Sequence, residues 1–344
     1  MHRCLHLAAL ANGWVAPNPM VGAVLVHNEK IIGEGYHMQY GGPHAEVNCI
    51  RSVMEKDRHL IREATLYVSL EPCAHYGKTP PCADLVIKEG IQHVVIGVRD
   101  PFVQVNGKGI EKLLEAGIKV ETGILENACR ELNKRFFLFN TEHRPYILLK
   151  WAQTADGKIA NEDLSRVMIS NAHTNRMVHK WRGEEMSILV GTNTAVFDDP
   201  ELNTRLWPGA NPVRLVIDMD LRLPSTLRLF NGKTKTIVFN RLRHQEQEDL
   251  LYYQVTADVS LVHQVVHALY QMKLQSVLVE GGARLLQQFI DEGMWDEARV
   301  ICNEHLSIGP GLKAPEIKDH RLAATENILT DRIQYYQRIQ NNKS

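Results

Sequence analysis

The chain has 344 residues, 44% of them hydrophobic and 23% charged, with 39 basic against 40 acidic side chains and a formal net charge of −1. That length leaves one large domain or two ordinary ones open, and the composition supplies a core and excludes a disordered chain. Of the charges, 15 basic and 16 acidic fall in residues 1–142, so neither part is a basic module built to neutralise a phosphate backbone.

In chain order, Met1-His2-Arg3-Cys4-Leu5-His6 lacks the apolar run of a secretory leader. Val21–Val26 and Ile31–Tyr36 are strand-like runs joined by His27-Asn28-Glu29-Lys30, a hairpin. The pattern then predicts a helix over His44–Met54, a strand over Thr65–Leu70, a helix over Ala83–Glu89 and a strand over His93–Val98. A helix over Gly109–Glu115, a strand over Lys119–Thr122 and a helix over Glu126–Phe137 follow. Thr141-Glu142-His143-Arg144-Pro145 is a polar break that divides the chain into residues 1–142 and 143–344.

Beyond it, strands are predicted over Tyr146–Trp151, Ser187–Gly191, Val213–Asp218, Thr234–Phe239, Ser276–Val279 and Glu297–Asn303. Helices are predicted over Ala172–Trp181, Val259–Met272 and Ala283–Glu292. Two α/β domains with helices on both sheet faces are expected, and the polar last 15 residues are expected to fray. Apolar runs such as Gly22–Val26 and Ser187–Val190 are too short to cross a bilayer, so a cytoplasmic protein is expected. Six cysteines are too sparse for a disulfide framework and are ordinarily reduced, buried thiols.

Cys73 and Cys82 stand apart. His44-Ala45-Glu46 lies where a helix should begin, and Glu71-Pro72-Cys73-Ala74-His75-Tyr76-Gly77-Lys78-Thr79-Pro80-Pro81-Cys82 follows downstream. One imidazole and two thiolates form a three-ligand zinc set with a fourth position left for water. Zinc brings the pKa of that water from 15.7 towards roughly 7. Glu46, two residues from the histidine, can take the proton and pass it to a leaving amine. The parts match the His-x-Glu and Pro-Cys signature of zinc deaminases, in which the glutamate is not a ligand. Taken singly, His-x-Glu is an ordinary surface pair and two cysteines nine apart are ordinary core thiols. Together, with prolines flanking both cysteines, they point to zinc. A structural site closed by a fourth ligand such as His75 is the rival, and it leaves Glu46 unexplained. Eight residues separate the cysteines where two are usual, and the added segment holds His75, Lys78 and Thr79 near the metal. Groups there can meet a substrate larger than a bare base, and a lysine suits a phosphate or carbonyl.

The second part carries less explicit chemistry. In Leu278-Val279-Glu280-Gly281-Gly282-Ala283-Arg284-Leu285 a strand ends and a helix opens, so glycines could admit a phosphate to main-chain N–H groups. A tight strand-to-helix turn explains them equally. Thr192 to Arg205 reads as a polar loop, and Asp198-Asp199-Pro200 as a solvated turn or helix cap.

Three segments resemble the bifunctional riboflavin-biosynthesis deaminase–reductases: Pro72-Cys73-Ala74-His75-Tyr76-Gly77-Lys78-Thr79-Pro80-Pro81-Cys82, Pro17-Asn18-Pro19-Met20-Val21-Gly22 and His44-Ala45-Glu46-Val47. Lys150-Trp151-Ala152-Gln153-Thr154-Ala155-Asp156-Gly157-Lys158 and the Thr194 to Arg205 stretch are similar to signatures of the family's second domain, so the resemblance spans residues 3–305. It implies a cytidine-deaminase-like three-layer α/β/α domain followed by a dihydrofolate-reductase-like α/β domain. The implied activities are hydrolytic deamination of a diaminopyrimidinone ribosylamino 5′-phosphate and reduction of its ribosyl group to ribityl with NADPH. By motif, His44, Cys73 and Cys82 would bind zinc and Glu46 would carry protons, while Asn18, His37, His75 and Lys78 would contact substrate. Gln153, Thr194, Asp198, Gly282, Ala283, Arg284 and Leu285 would face NADPH. Ser165, Arg182, Leu202, Arg205 and Glu280 would face the second substrate, the arginines suiting its 5′-phosphate.

Two departures stand out: Met168 where many relatives have tryptophan, and Thr154 in place of the usual serine, which keeps the hydroxyl. Small-molecule substrates, a homo-oligomer and no nucleic-acid or membrane partner are expected. The competing readings are a nucleoside or tRNA deaminase with an accessory domain, which calls for a basic or aromatic RNA surface, and a non-catalytic zinc-stabilised binding protein.

Overall fold

The computed structural model describes residues 1–76, 80–103, 105–163 and 167–339. The chain divides into two compact units, Met1–His143 and Arg144–Ser344.

The first unit opens with α1 (His2–Ala9), then the hairpin β1 (Gly22–His27) and β2 (Lys30–Tyr36). Asn28 and Glu29 at the hairpin turn both have positive φ, the conformation that a two-residue turn needs to match strand twist. There follow α2 (Ala45–Arg51), β3 (Thr65–Leu70), α3 (Cys82–Glu89), β4 (His93–Val98), α4 (Lys108–Glu115), β5 (Lys119–Thr122), α5 (Glu126–Leu132) and α6 (Lys134–Thr141). The sheet order is β2-β1-β3-β4-β5, with β1 antiparallel to both neighbours and β3, β4 and β5 parallel.

Alternation along β1 separates two faces. Ala23 and Leu25 pack with Ala45, Cys49 and Ile50 of α2, whereas Val24 packs with Cys4 and Leu7 of α1. Gly35 lets α2 lie close on β2, since a Cβ there would run into the Cys49 nitrogen. That approach brings the start of α2, with His44 and Glu46, to the sheet.

This unit adds one helix and changes two expectations. The opening residues form α1, whose Cys4, Leu7 and Ala8 are buried at helical spacing. The helix from His44 ends at Arg51, and a 3-10 segment occupies Glu55–Glu63. The helix expected over Glu126–Phe137 breaks at Asn133, whose side chain accepts from the Met20 nitrogen at 2.8 Å and donates to the Met20 carbonyl at 2.9 Å. A side chain that pairs main-chain groups elsewhere competes with continuation of its own helix.

The second unit contains β6 (Tyr146–Thr154), β7 (Lys158–Asn161), α7 (Ala172–Glu184), β8 (Ser187–Val190), α8 (Thr192–Asp198), β9 (Val213–Ile217), β10 (Thr236–Asn240), β11 (Gln245–Glu246) and β12 (Leu250–Gln254). It continues with α9 (Leu261–Gln271), β13 (Ser276–Val279), α10 (Ala283–Asp291), β14 (Glu297–Asn303), β15 (Gly311–Lys313), β16 (His320–Ile328) and β17 (Asp331–Arg338). Ten strands form one sheet in the order β11-β12-β10-β9-β8-β13-β6-β14-β17-β16, and β7 pairs with β15 separately. The run from β12 to β14 is parallel, and its central strands β8 and β13 are apolar after their first serine and buried throughout, as burial on both faces requires. Ile147, Leu149 and Trp151 of β6 share a core with Val265 and Leu269 of α9 and Leu286 and Phe289 of α10.

The expected fraying of the last 15 residues does not hold for Asp331–Arg338, which lies between β14 and β16. Buried Ile333 and Asp331 anchor it, and main-chain pairing on both sides makes its polar composition irrelevant to its order. Thr192–Asp198, read as part of a loop, is the short helix α8. It ends at Asp199 with φ 37°, and the Asp199 carboxylate accepts from the Arg228 nitrogen at 2.8 Å. Among the described residues no helix is long and apolar enough to cross a membrane.

Candidate metal centre and charged site

His44 is the residue before α2 and Cys82 the first residue of α3, so two helix starts deliver two of the donors. The third, Cys73, follows β3. The His44 Nδ1 lies 3.3 Å from the Cys82 Sγ and 3.6 Å from the Cys73 Sγ, and all three donor atoms fall within 4.8 Å of one another. Corners of a zinc tetrahedron with ordinary Zn–N and Zn–S bonds are about 3.5–3.8 Å apart. The donor set therefore fits zinc in both chemistry and spacing. Hydrogen bonding with Cys82 pulls the Cys73 thiol below its ordinary range, with help from His44 and against burial, while the same contact and burial push Cys82 up. A bound cation would require both groups as thiolates.

Glu46 is 3% exposed. Burial pushes its carboxyl up to about 7, and the neighbouring Cys73 adds to the rise. His37 is also buried; its Nδ1 is 2.9 Å from the Pro43 carbonyl and its Nε2 is 3.0 Å from the Asn18 amide nitrogen. A carbonyl can only accept, so Nδ1 carries the proton and Nε2 accepts from Asn18. The His37 and His44 rings meet edge to face at 5.4 Å. Asn18, His37, His44 and Glu46 are thus brought together. His75 stacks edge-on against Phe102, and its buried Nδ1 has no hydrogen-bond partner among the described residues. It is not one of the three convergent donors. Lys78 and Ser165 lie outside the described residues.

In the second unit, Arg182 of α7 and Glu280 after β13 form a two-point ion pair. Arg182 also reaches the Asn203 carbonyl at 3.4 Å, and the Arg205 Nη1 donates to the Asn203 Oδ1 at 2.9 Å. Gly282 precedes α10 at φ 55°, and a Cβ there would meet the Thr194 Oγ1 at 3.5 Å. Gly282 stands at the N-cap of α10 and has no side chain with which to cap the first N–H groups of that helix. Leu202 and Leu285 have buried side chains, which leaves main-chain contact as their means of meeting a ligand. Gln153 on β6 accepts from the Trp151 Nε1 at 2.8 Å, while Asp198, Ala283 and Arg284 lie at the ends of α8 and α10. Thr154 keeps the hydroxyl role: its Oγ1 accepts from the Lys158 nitrogen at 2.9 Å and donates to the Asp156 carboxylate, closing the β6–β7 turn.

Sequence reasoning missed several groups. Lys150 is the charged residue inside the apolar run Tyr146–Trp151, a visible signal; burial lowers its pKa, and Glu280, Arg182 and Asp198 face it. Buried His179 neighbours Arg182 and Arg205, and Glu71 and Asp100 are buried carboxyls near Cys73.

Residues 1–98 match the family model for the cytidine and deoxycytidylate deaminase zinc-binding region, and residues 145–305 match the RibD C-terminal domain. The riboflavin biosynthesis protein RibD of Aquifex aeolicus is 39% identical over 98% of this chain and 97% of its own. That of Escherichia coli is 33% identical over 92% and 95%. The crystal structure of a diaminohydroxyphosphoribosylaminopyrimidine deaminase/5-amino-6-(5-phosphoribosylamino)uracil reductase from Thermotoga maritima superposes with a TM-score of 0.89 at 35% identity, covering 98% of this chain and 97% of that one. The Acinetobacter baumannii RibD gives 0.87 at 30% identity, with 98% and 97% covered. With the zinc donors assembled and both family matches lying on one chain, this protein belongs to the bifunctional riboflavin-biosynthesis deaminase–reductase family, whose cofactors are zinc and NADPH.

Proposed function

We propose that residues 1–142 carry the deaminase and residues 143–344 the reductase, and that the first substrate is 2,5-diamino-6-(5-phosphoribosylamino)pyrimidin-4-one. The carrying observation is the convergence of His44, Cys73 and Cys82 beside the buried Glu46 carboxyl. His44, Cys73 and Cys82 would hold zinc, and zinc there would supply a water that ionises near neutral pH. Glu46 takes a proton from the attacking water and delivers it to the departing amine, so ammonia leaves as the ring carbon gains oxygen. His37, fixed by Pro43, orients Asn18 towards the substrate, and His75 and Lys78 meet its outer parts.

In the second unit bound NADPH would supply the hydride for conversion of the ribosyl to the ribityl group, giving 5-amino-6-(5-phosphoribitylamino)uracil. Thr194, Asp198, Gln153 and the turn from Gly282 through Ala283 and Arg284 to Leu285 hold the cofactor. Arg182, Leu202, Arg205, Glu280 and Ser165 position the substrate. The enzyme works in the cytoplasm as a homo-oligomer on small phosphorylated molecules, without nucleic-acid or membrane partners; its near-neutral charge supports the exclusion of nucleic acid.

Separate sites predict separable losses. Glu46→Gln should still oxidise NADPH when given the deaminated ribosylamino intermediate. Asp198→Ala, or Gly282→Val to crowd the turn, should release ammonia yet stop before the ribityl product. Loss of both activities in each variant, folded and zinc-loaded, would overturn the division.

A further inference from the structure

Glu71 follows β3 two residues before Cys73 and is 3% exposed. Its Oε2 accepts from the Asp100 nitrogen at 3.1 Å and the Gly107 nitrogen at 3.0 Å. Its Oε1 accepts from the Gly109 nitrogen at 2.9 Å and the Ile110 nitrogen at 3.3 Å. Gly109 and Ile110 lie in the first turn of α4, where N–H groups have no partner within the helix, and Gly107 before that turn has no side chain to cap them. A carboxylate from 38 residues away therefore caps α4. Four N–H donors need an acceptor-only group with charge to match, which an amide cannot provide.

The same short segment is bound on its other side. The Cys73 Sγ accepts from the Cys82 nitrogen at 3.3 Å, and the Cys73 carbonyl accepts from the Ala83 nitrogen at 3.1 Å, both at the start of α3. Between the two anchors, α4 presses so closely on Pro72 that a Cβ on Gly109 would run into the Pro72 carbonyl oxygen. Glu71-Pro72-Cys73 is thus gripped by α4 at one end and α3 at the other.

We infer that Glu71 is a positioning residue of the deaminase: by binding the start of α4 it fixes the Cys73 thiolate relative to His44 and Cys82. The role rests on the ligand assignment proposed above. It involves no contact of Glu71 with substrate.

Glu71→Gln replaces one oxygen by an NH2 that faces two main-chain N–H donors. In the full-length protein, zinc loss to a chelator should accelerate and deamination kcat should fall, each on the order of 10- to 100-fold, with KM near the parent value. With cobalt in place of zinc, the thiolate-to-metal absorption should shift. Reductase turnover on the deaminated intermediate should stay at the parental level, which separates displacement of the ligand from general unfolding. Gly109→Ala pushes on the same segment without touching the carboxylate and should reproduce the shift. A parental chelation rate, kcat and cobalt spectrum in Glu71→Gln would overturn the role; if that variant does not fold, the same parental values in Gly109→Ala would do so. Absence of a thiolate–cobalt band in the parent protein would instead refute the ligand assignment, and the positioning role with it.

Discussion

Arg182 and Glu280 meet through two parallel contacts, Nε to Oε1 at 2.8 Å and Nη2 to Oε2 at 2.7 Å, with side chains 12% and 7% exposed. Burial alone would raise the Glu280 pKa, but Arg182 and Lys150 outweigh it and hold the carboxyl at about 2. The guanidinium that would meet a substrate phosphate therefore already has a seated partner, and anion recognition must act on a preorganised pair.

Removing one member of a buried pair strands the other. Arg182→Met should destabilise the second unit by about 3 kcal/mol. The double variant Arg182→Met with Glu280→Leu should recover much of that loss in urea unfolding. Additive losses in the double variant would show that the pair is not coupled. Because the folded Glu280 pKa lies below its unfolded value, the stabilisation is present above the ordinary carboxylate range and is lost as pH falls towards about 2.

His179 sets a second pH limb. It is 4% exposed, and burial, followed by repulsion from Arg182 and Arg205, lowers its pKa to about 4. Between the unfolded value of 6.5 and about 4, the unfolded chain binds a proton that the folded chain refuses. Stability of the second unit should therefore decline as pH falls through that window, and His179→Gln should flatten the decline. An unchanged slope in the variant, measured by melting across the pH series, would assign the limb elsewhere.

The metal donors make a sharper contrast. Cys73→Ser and Cys82→Ser should each lose zinc and deamination together. Glu46→Gln should retain zinc while its deamination rate drops by roughly 10²–10⁴-fold. Metal analysis beside ammonia release decides the matter. Full activity with stoichiometric zinc in either serine variant is the result that the ligand set does not permit.

Adjacent glycines should behave differently. A Cβ on Gly281 would lie 2.7 Å from the Val190 Cα and 2.9 Å from the Gly191 nitrogen, so Gly281→Ala must shift the main chain. It should lower the melting temperature of the second unit and weaken NADPH binding. Gly282→Ala meets only an ordinary contact with Thr194, but at φ 55° and ψ 132° it carries a strain of about 1–3 kcal/mol. Calorimetry and a fluorescence titration with NADPH will rank the two variants. Greater loss of affinity in Gly282→Ala would place the tighter constraint at the φ of the turn.

Chemistry carried on short, ordered segments is legible in this chain before it folds. His44, Glu46, Cys73 and Cys82 can be read because a helix start and two proline-flanked cysteines hold their meaning within a few residues of chain. The parallel strands can be read because burial on both faces writes a continuous apolar run, as in Ser187–Val190. Which polar groups meet is a property of the folded molecule. Arg182 finds Glu280 across 98 residues, and Glu71 finds the Gly109 nitrogen across 38. Folding likewise makes Asp331–Arg338 an inner strand and lets Asn133 break a helix to pair with Met20. Polar residues have no periodicity that announces a partner. Whether one is solvated or buried depends on which distant donors and charges folding brings within about 3 Å, because only there does a hydrogen bond offset desolvation.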